Sequence, residues 1–497
     1  GSSMKNIRKN IQTELLTLGS DFRNTHIYKL CDQTDFENRV IDLELLAFDY
    51  SKQRINQKAL DYLNQIPDLI NLEESLQLLF SGKAINRSED RAVTHTIYRN
   101  QTSGDDFELI FSERKKIQSF LNQNKFGHKF KNLICLSIGG SRLGPELLNE
   151  FMSSDIRANI YFCSSYDLHE IKDALRKCQQ SETVVFVSSK SFETSEILKN
   201  LEYVKTWFGY KAQINVEDHL YGISANATAM SEFGINETNQ FLLLDSLGGR
   251  FSIWSSISLP AFVNADYESY LELLHGASLA DEHTKNTPWD SNIAVLMALL
   301  SVWNRNSLDI SNHGIFTYSY RLRSLTKYIA QLSMESNGKS INFESDESPF
   351  STTPLVWGGY GIENQHSTFQ WLMQGKTETS CDFIGTNSRE DSTEGSYEML
   401  LSQVLAMTRG EENKKLPFKT VRGNNPCSIF KLENLDLKSL GFLLALYEHK
   451  IFIESLITGI DPFDQWGVQL GKKLSLNAKK DKQFMKDFFS SSVLPKY

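Results

Sequence analysis

The stretch "NLICLSIGGSRLGPELL", residues 132–148, decides the fold. An apolar run of strand length enters a Gly-Gly-Ser turn, and the turn leads into a helix-like segment. Such a corner exposes unpaired backbone N–H groups and the positive end of a helix dipole, which suits an anion. A tight turn without any ligand would use the same residues, so the pattern alone leaves both readings open.

The texture continues outward from this corner. "NIYFCSS", "TVVFVSS", "HLYGISA" and "FLLLD" are further short apolar runs, separated by the amphipathic "DLHEIKDALRKC" and "SEILKNLEYVKTWF". Their alternation predicts β-α-β units and a parallel sheet covered on both faces. It recurs in "GIFTYSY" (314–320), "PLVWGG" (354–359), "CDFIGTN" (381–387) and "CSIFKL" (427–432), after a break around "EHTKNTPWDSN" (282–292). The expected fold class is α/β, with two parallel-sheet modules in tandem. Residues 4–105 read as mainly helical, since "NQKALDYLNQIPDLINLEESLQLLFSGKAIN" has apolar positions at three-to-four spacing.

The 497 residues, 40% hydrophobic and 23% charged, are ordinary for a soluble protein of two or three domains. Gly1-Ser2-Ser3 before Met4 reads as a tag remnant. No secretory signal is visible and no stretch approaches the ~18 apolar residues of a membrane span, so the reading is cytoplasmic, without a membrane. Six cysteines lack any C-x-x-C pair and ten histidines lack ligand spacing, so no metal is expected. With 52 basic against 61 acidic residues and no Lys/Arg block, a nucleic-acid partner is disfavoured. A site for an anion must then be positive locally, from amides and hydroxyls at helix starts.

A second corner, "VSSKSFETSE" (187–196), follows a strand and is dense in hydroxyls. Helix capping alone would explain it. Two such corners in one module are better explained by a monophosphate held between them. Nucleotide motifs fail: "GGSRLG" lacks G-x-G-x-x-G spacing, and "MESNGKS" has Ser333 where a P-loop needs its first glycine. No cofactor is expected. Gln331 and Glu335 in "QLSMESNGK" share a helix face. A terminal glutamate is ordinarily solvated, yet at a ligand crevice it can serve as a base. His366, Arg250 and Lys472 would singly be a cap, a salt-bridge partner and a surface cation. Together with Glu335 they supply a base, an imidazole and two cations beside a phosphate cradle, which is what an aldose–ketose isomerase needs.

From about residue 100 to 475 the chain resembles the glucose-6-phosphate isomerase (phosphoglucose isomerase) family. The resemblance is carried in order by "IGGSRLGP", "SSKSFETSE", "LGGRFSIWSSISLP", "MESNGK", "NQHSTFQ", "ALYEHKIF" and "FDQWGVQLGK". It implies two sugar-isomerase (SIS) α/β domains, at 106–281 and 282–475. A mainly helical segment at 1–105 precedes them, and a C-terminal arm at 476–497 follows. It implies phosphate contacts at Ser189, Lys190, Ser191 and Thr194, and sugar contacts at Gly140, Ser141, Gln331 and Gln465. The catalytic base would be Glu335, with Arg250 stabilising a cis-enediolate and His366 and Lys472 opening the ring. His366 would reach the neighbouring subunit of a homodimer, giving a shared active site.

Five positions depart from the family pattern: Arg142 for the usual Asp, Ser191 and Glu193 in the hydroxyl loop, Glu363 before the histidine, and Asn425 for an Arg. None replaces a proposed catalytic side chain. The expected activity is reversible conversion of glucose 6-phosphate to fructose 6-phosphate, in glycolysis and gluconeogenesis. Its rivals are a bifunctional glucose/mannose-6-phosphate isomerase and a non-catalytic sugar-phosphate sensor on the same scaffold.

Overall fold

A computed structural model describes residues 2–30, 33–100, 106–123, 125–152, 156–164, 166–193, 195–211, 213–388 and 395–496. Two sheets dominate it. The first has five parallel strands in the order Asn159–Cys163, Asn132–Leu136, Thr183–Ser188, Leu220–Ser224, Gln240–Leu242. The second has four parallel strands, Leu355–Tyr360, Asn312–Thr317, Ser380–Thr386 and Cys427–Leu432. The α/β expectation therefore holds, strand by strand.

Side-chain alternation explains why these runs are apolar throughout. Along Thr183–Ser188, Val184 and Phe186 enter one core while Val185 and Val187 enter another. In the second sheet Ile315, Ile384 and Phe430 face the first of those cores, and Phe316, Phe383 and Ile429 the opposite side. A strand covered on both faces must be apolar at every position, because successive side chains point opposite ways. One core thus runs between the inner faces of both sheets.

Helices fill that central layer. Leu437–Thr458 is buried along nearly its whole length. It lies so close to helix Tyr267–Asn286 that a Cβ on Gly276 would stand 1.8 Å from the Lys438 carbonyl oxygen. A Cβ on Gly441 would stand 2.1 Å from that of Leu273. The expected break at 282–292 is narrower: the helix runs through Asn286, and the next begins at Ile293 behind an Asn292 cap.

The N-terminal segment is mainly helical, above all in Ser2–Ser20, Gln57–Leu63 and Leu72–Phe80, and adds strands that its sequence did not reveal. It contributes strand Leu46–Lys52, which pairs antiparallel with Cys427–Leu432, and an edge strand Val40–Asp42 beyond it. It also forms a short hairpin, Ile85–Asn86 with Arg91–Ala92. At the other end, helix Trp466–Lys480 runs across the expected boundary at 475 and buries none of its residues. Among the described residues, no helix is long and apolar enough to cross a membrane.

Candidate active site

Ligands of open parallel sheets bind beyond the strands' C-terminal ends. Three loops leave the first sheet there: 137–141 after Asn132–Leu136, 189–193 after Thr183–Ser188, and 243–250 after Gln240–Leu242. They meet around a cavity of about 640 Å³. Gly139 has φ +60°, in the region that favours glycine. Gly140 touches the third loop directly: a Cβ there would lie 2.3 Å from the Gly249 carbonyl carbon and 2.5 Å from the Arg250 nitrogen. The glycine corner therefore sets where Arg250 stands. Gly140 and Ser141 both line the cavity.

The hydroxyl loop is held by its own hydrogen bonds. The Ser189 hydroxyl accepts from the Phe192 amide at 3.0 Å, and that of Ser191 accepts from the Glu193 amide at 3.3 Å. The Ser224 hydroxyl and the Ala225 amide both donate to the Lys190 carbonyl. Phe192 takes φ +61°, unusual for a side-chain-bearing residue, and its buried ring anchors the turn. Ser189, Lys190 and Ser191 line the cavity. Thr194 lies outside the described residues.

Glu335 and Gln331 come from helix Leu325–Asn337, which buries Leu325, Ile329 and Leu332 and carries the two cavity residues, four apart, on an adjoining stripe. The helix stops at Gly338, whose amide bonds the Met334 carbonyl at 2.8 Å. Arg250 reaches Glu335 from across the cavity, Nη1 to Oε1 at 3.2 Å, while Gln331 donates to Oε2 at 3.2 Å. The other Arg250 donors bind Ser336 Oγ (2.8 Å), Gln465 Oε1 (3.1 Å) and the carbonyls of Pro462 (2.6 Å) and Asp464 (3.0 Å). All five N–H bonds of the guanidinium are engaged, so its plane is fixed. Burial pulls the pKa of Arg250 down and the Glu335 carboxylate opposes that shift.

Lys472, on the exposed helix Trp466–Lys480, also lines the cavity, as does Gln465. His366 does not. It sits exposed as the C-terminal cap of the short helix Gly361–Gln365, before the next helix, Phe369–Gln374. The structure thus gathers Gly140, Ser141, Ser189, Lys190, Ser191, Arg250, Gln331, Glu335, Gln465 and Lys472, and leaves His366 outside.

Sequence reasoning missed several lining residues. Glu89 and Arg91 come from the 85–92 hairpin, Asp245 from the third loop, and His95 from the helix after the hairpin. Four cations, Arg91, Lys190, Arg250 and Lys472, face three carboxylates, Glu89, Asp245 and Glu335. The cavity is positive in a chain of net charge −9, the local inversion an anionic ligand requires. Burial lowers the pKa of Lys190; Asp245 opposes this and Arg91 adds to it. His95 packs against Phe251 with ring centroids 4.7 Å apart and planes tilted by 31°, and burial holds its pKa well below the usual histidine value, favouring the neutral ring. The local sequence around Glu89, Arg91 and His95 carries no signal of this: "NRSEDRAVTH" (86–95) reads as surface charge before the start of a helix.

Apart from Ser191, the departures from the family pattern do not line the cavity. Arg142 bonds Glu146 (2.9 Å), Ser164 (2.7 Å) and Glu170 (3.4 Å). Glu193 and Glu363 are exposed and line no part of it. Asn425 is buried, its Oδ1 accepting from the Thr379 amide at 3.0 Å.

Comparison with known proteins gives one consistent result. The family model for phosphoglucose isomerase matches residues 49–493. A glucose-6-phosphate isomerase of Acinetobacter baumannii is 35% identical over 494 residues, covering 90% of this chain and 89% of that protein. One from Helicobacter pylori is 35% identical over 476 residues, covering 88% and 87%. Among solved structures, a glucose-6-phosphate isomerase from Chlamydia trachomatis superposes with a TM-score of 0.88 at 29% identity, covering 96% of both chains.

Proposed function

The chain belongs to the phosphoglucose isomerase family, and from that premise we propose that it interconverts glucose 6-phosphate and fructose 6-phosphate through a cis-enediolate. The observation that carries the reading is the Glu335–Arg250 pair beside a hydroxyl-rich, locally positive corner in one cavity. Glu335 takes the proton from carbon 2 and returns it to carbon 1. That carbon acid is very weak, so the developing oxyanion must be stabilised as the proton leaves. Arg250, oriented by five hydrogen bonds, is built to do this without reorganising. Ser189, Lys190, Ser191 and Thr194 hold the phosphate; Gly140, Ser141, Gln331 and Gln465 contact the sugar.

Ring opening needs an acid–base pair, assigned to Lys472 and His366. His366 stands exposed outside its own chain's cavity, which supports a homodimer in which His366 of the partner subunit completes each site. The exposed Trp466, Val468 and Leu470 of helix Trp466–Lys480 and Phe488 of the C-terminal arm fit a surface covered by a second copy. We assign the SIS domains to 106–281 and 282–475, with 1–105 packed on the second sheet and 476–497 as the arm. The protein acts in the cytoplasm, in glycolysis and gluconeogenesis. A sugar-phosphate sensor would keep the corner but has no use for the carboxylate–guanidinium pair. The test is a coupled assay supplying fructose 6-phosphate and reading glucose 6-phosphate, with mannose 6-phosphate as a second substrate. Absence of turnover overturns the proposal.

A further inference from the structure

Arg250 aims its Nη1 at Glu335 only as well as its other bonds hold it, and three of those bonds go to one turn: Pro462 O, Asp464 O and Gln465 Oε1. The position of that turn, residues 461–465, therefore sets the position of the guanidinium. It also carries Gln465 and begins the helix that bears Lys472.

The turn is clamped from the side away from the substrate cavity. Lys339 Nζ pairs with Asp464 Oδ1 at 2.8 Å, donates to the Asp464 carbonyl at 2.9 Å and donates also to the Asp461 carbonyl. All three ammonium donors are spent on this one turn. On its other flank the Ser88 amide donates to Asp461 Oδ2 at 3.1 Å, and the Ser88 hydroxyl donates to Asp464 Oδ2. The Trp466 indole donates back to the Ser88 hydroxyl at 2.9 Å. Only 18% of the Lys339 side chain and 8% of that of Asp464 are exposed, so these charges interact with little screening by water.

Lys339 does not line the substrate cavity. It lines a second one of about 650 Å³, which shares Glu335, Gln465 and Val468 with the first and lies behind them. Lys339 follows Glu335 by four residues, one residue past the helix stop at Gly338. The base and the clamp are thus on one short segment, and the clamp grips the turn that orients the oxyanion-stabilising cation.

We infer that Lys339 is a positioning residue for the isomerisation. Acting through Asp464 and the 461–465 turn, it holds Arg250 and Gln465 in register with Glu335. It fixes the geometry used in the enediolate transition state and leaves the phosphate contacts alone, since Ser189–Ser191 lie on a different loop. The inference rests on the isomerase reading above.

The test uses Lys339→Met and Lys339→Arg in the full-length chain, with Ser88→Ala as a milder probe. Two ligands are titrated by calorimetry: a sugar-phosphate hydroxamate whose planar anionic head mimics the enediolate, and a linear sugar-alcohol phosphate that cannot form one. Partial unfolding lowers the number of sites but moves neither affinity. Loss of positioning weakens the hydroxamate alone, by about 10-fold in Lys339→Met if the cation is displaced by a fraction of an ångström. In that variant kcat falls with KM within about threefold; Lys339→Arg, which keeps the pairing with Asp464, recovers part of the lost affinity. Ser88→Ala shifts the same ratio less and carries the test if Lys339→Met does not fold. Equal weakening of both ligands, or an unchanged ratio with kcat within twofold of wild type, overturns the inference while leaving the isomerase reading intact. Wild-type protein inactive on fructose 6-phosphate overturns both.

Discussion

Arg250 Nη1 stands 3.2 Å from Glu335 Oε1, and Gln331 Nε2 stands 3.2 Å from the other oxygen of the same carboxylate. The candidate base is therefore held at both oxygens before substrate arrives. The cation that orients it is also the group proposed to receive the charge that proton abstraction creates. Base and oxyanion stabiliser form one unit, and their effects on rate are not separable by addition.

Glu335→Gln tests that unit. Glutamine keeps the shape and can still bond Gln331, but it cannot accept a carbon-bound proton. The expected fall in kcat is at least ~10²-fold, the lower end for a positioned general base. Binding of an unreactive sugar-alcohol phosphate should change only a few-fold, because the 189–194 loop is untouched. Turnover near the wild-type rate would remove Glu335 from the mechanism.

The alkaline limb of kcat/KM should report Lys190. Burial lowers its pKa from the ordinary 10.5 of lysine. In the free protein the ammonium therefore loses its proton, and its charge, at a lower pH than a solvated lysine does. A bound phosphate dianion favours the charged form and opposes that loss. As pH rises through the depressed pKa, KM should climb while kcat at saturation stays nearly flat. Lys190→Arg keeps a permanent cation and should move the limb to higher pH. An unmoved limb would assign it to another group.

Much of this site could be read from the chain before its fold was known. The corners at 137–141 and 189–193 announce themselves because strand, turn and helix are contiguous there, so local pattern suffices. Glu335 was legible from its place four residues after Gln331 on one helix. Arg91, His95 and Asp245 were not, because they reach the cavity from separate segments and look locally like surface charge or helix start. Strand Leu46–Lys52 escaped for a related reason: its partner, Cys427–Leu432, is nearly four hundred residues away, and only that pairing makes it a strand. Phe192 at φ +61° is opaque to any propensity argument, since a buried aromatic ring overrides the backbone preference.

Gly140→Ala probes how tightly the first corner sets Arg250. The added methyl would stand 2.3–2.5 Å from backbone atoms of Gly249 and Arg250, which cannot rotate aside as a side chain can. The corner or the Arg250 loop must move, and an ångström of displacement is enough to cost on the order of 10²-fold in kcat/KM. Gly144→Ala in the same helix is the control: its methyl meets Ile253 side-chain atoms at 3.1–3.4 Å, which can yield. Alanine also gains about 1 kcal/mol of helix propensity over glycine there. Comparable activity in the two variants would mean that the Gly140 contact does not position the cation.

Subunit mixing decides whether the site is shared. His366 is exposed and outside the cavity that holds Glu335, Arg250 and Lys472, so within one chain it has no evident access to substrate. Chains carrying His366→Ala or Glu335→Ala alone should each be inactive. In a mixed dimer, one site combines Glu335 of the first chain with His366 of the second and is whole, while the other site lacks both. Random reassortment of equal amounts makes half the dimers mixed, so about a quarter of wild-type activity should return. If each site is confined to its own chain, every site in a mixed dimer lacks one group and nothing returns. The measurement is activity after joint denaturation and refolding, with the mixed species verified by differential tagging. No recovery in verified mixed dimers would confine Glu335 and His366 to the site of one chain and overturn the shared site. Near-normal turnover by His366→Ala alone would place the ring-opening imidazole elsewhere, and His95, which lines the same cavity, would be the residue to test next.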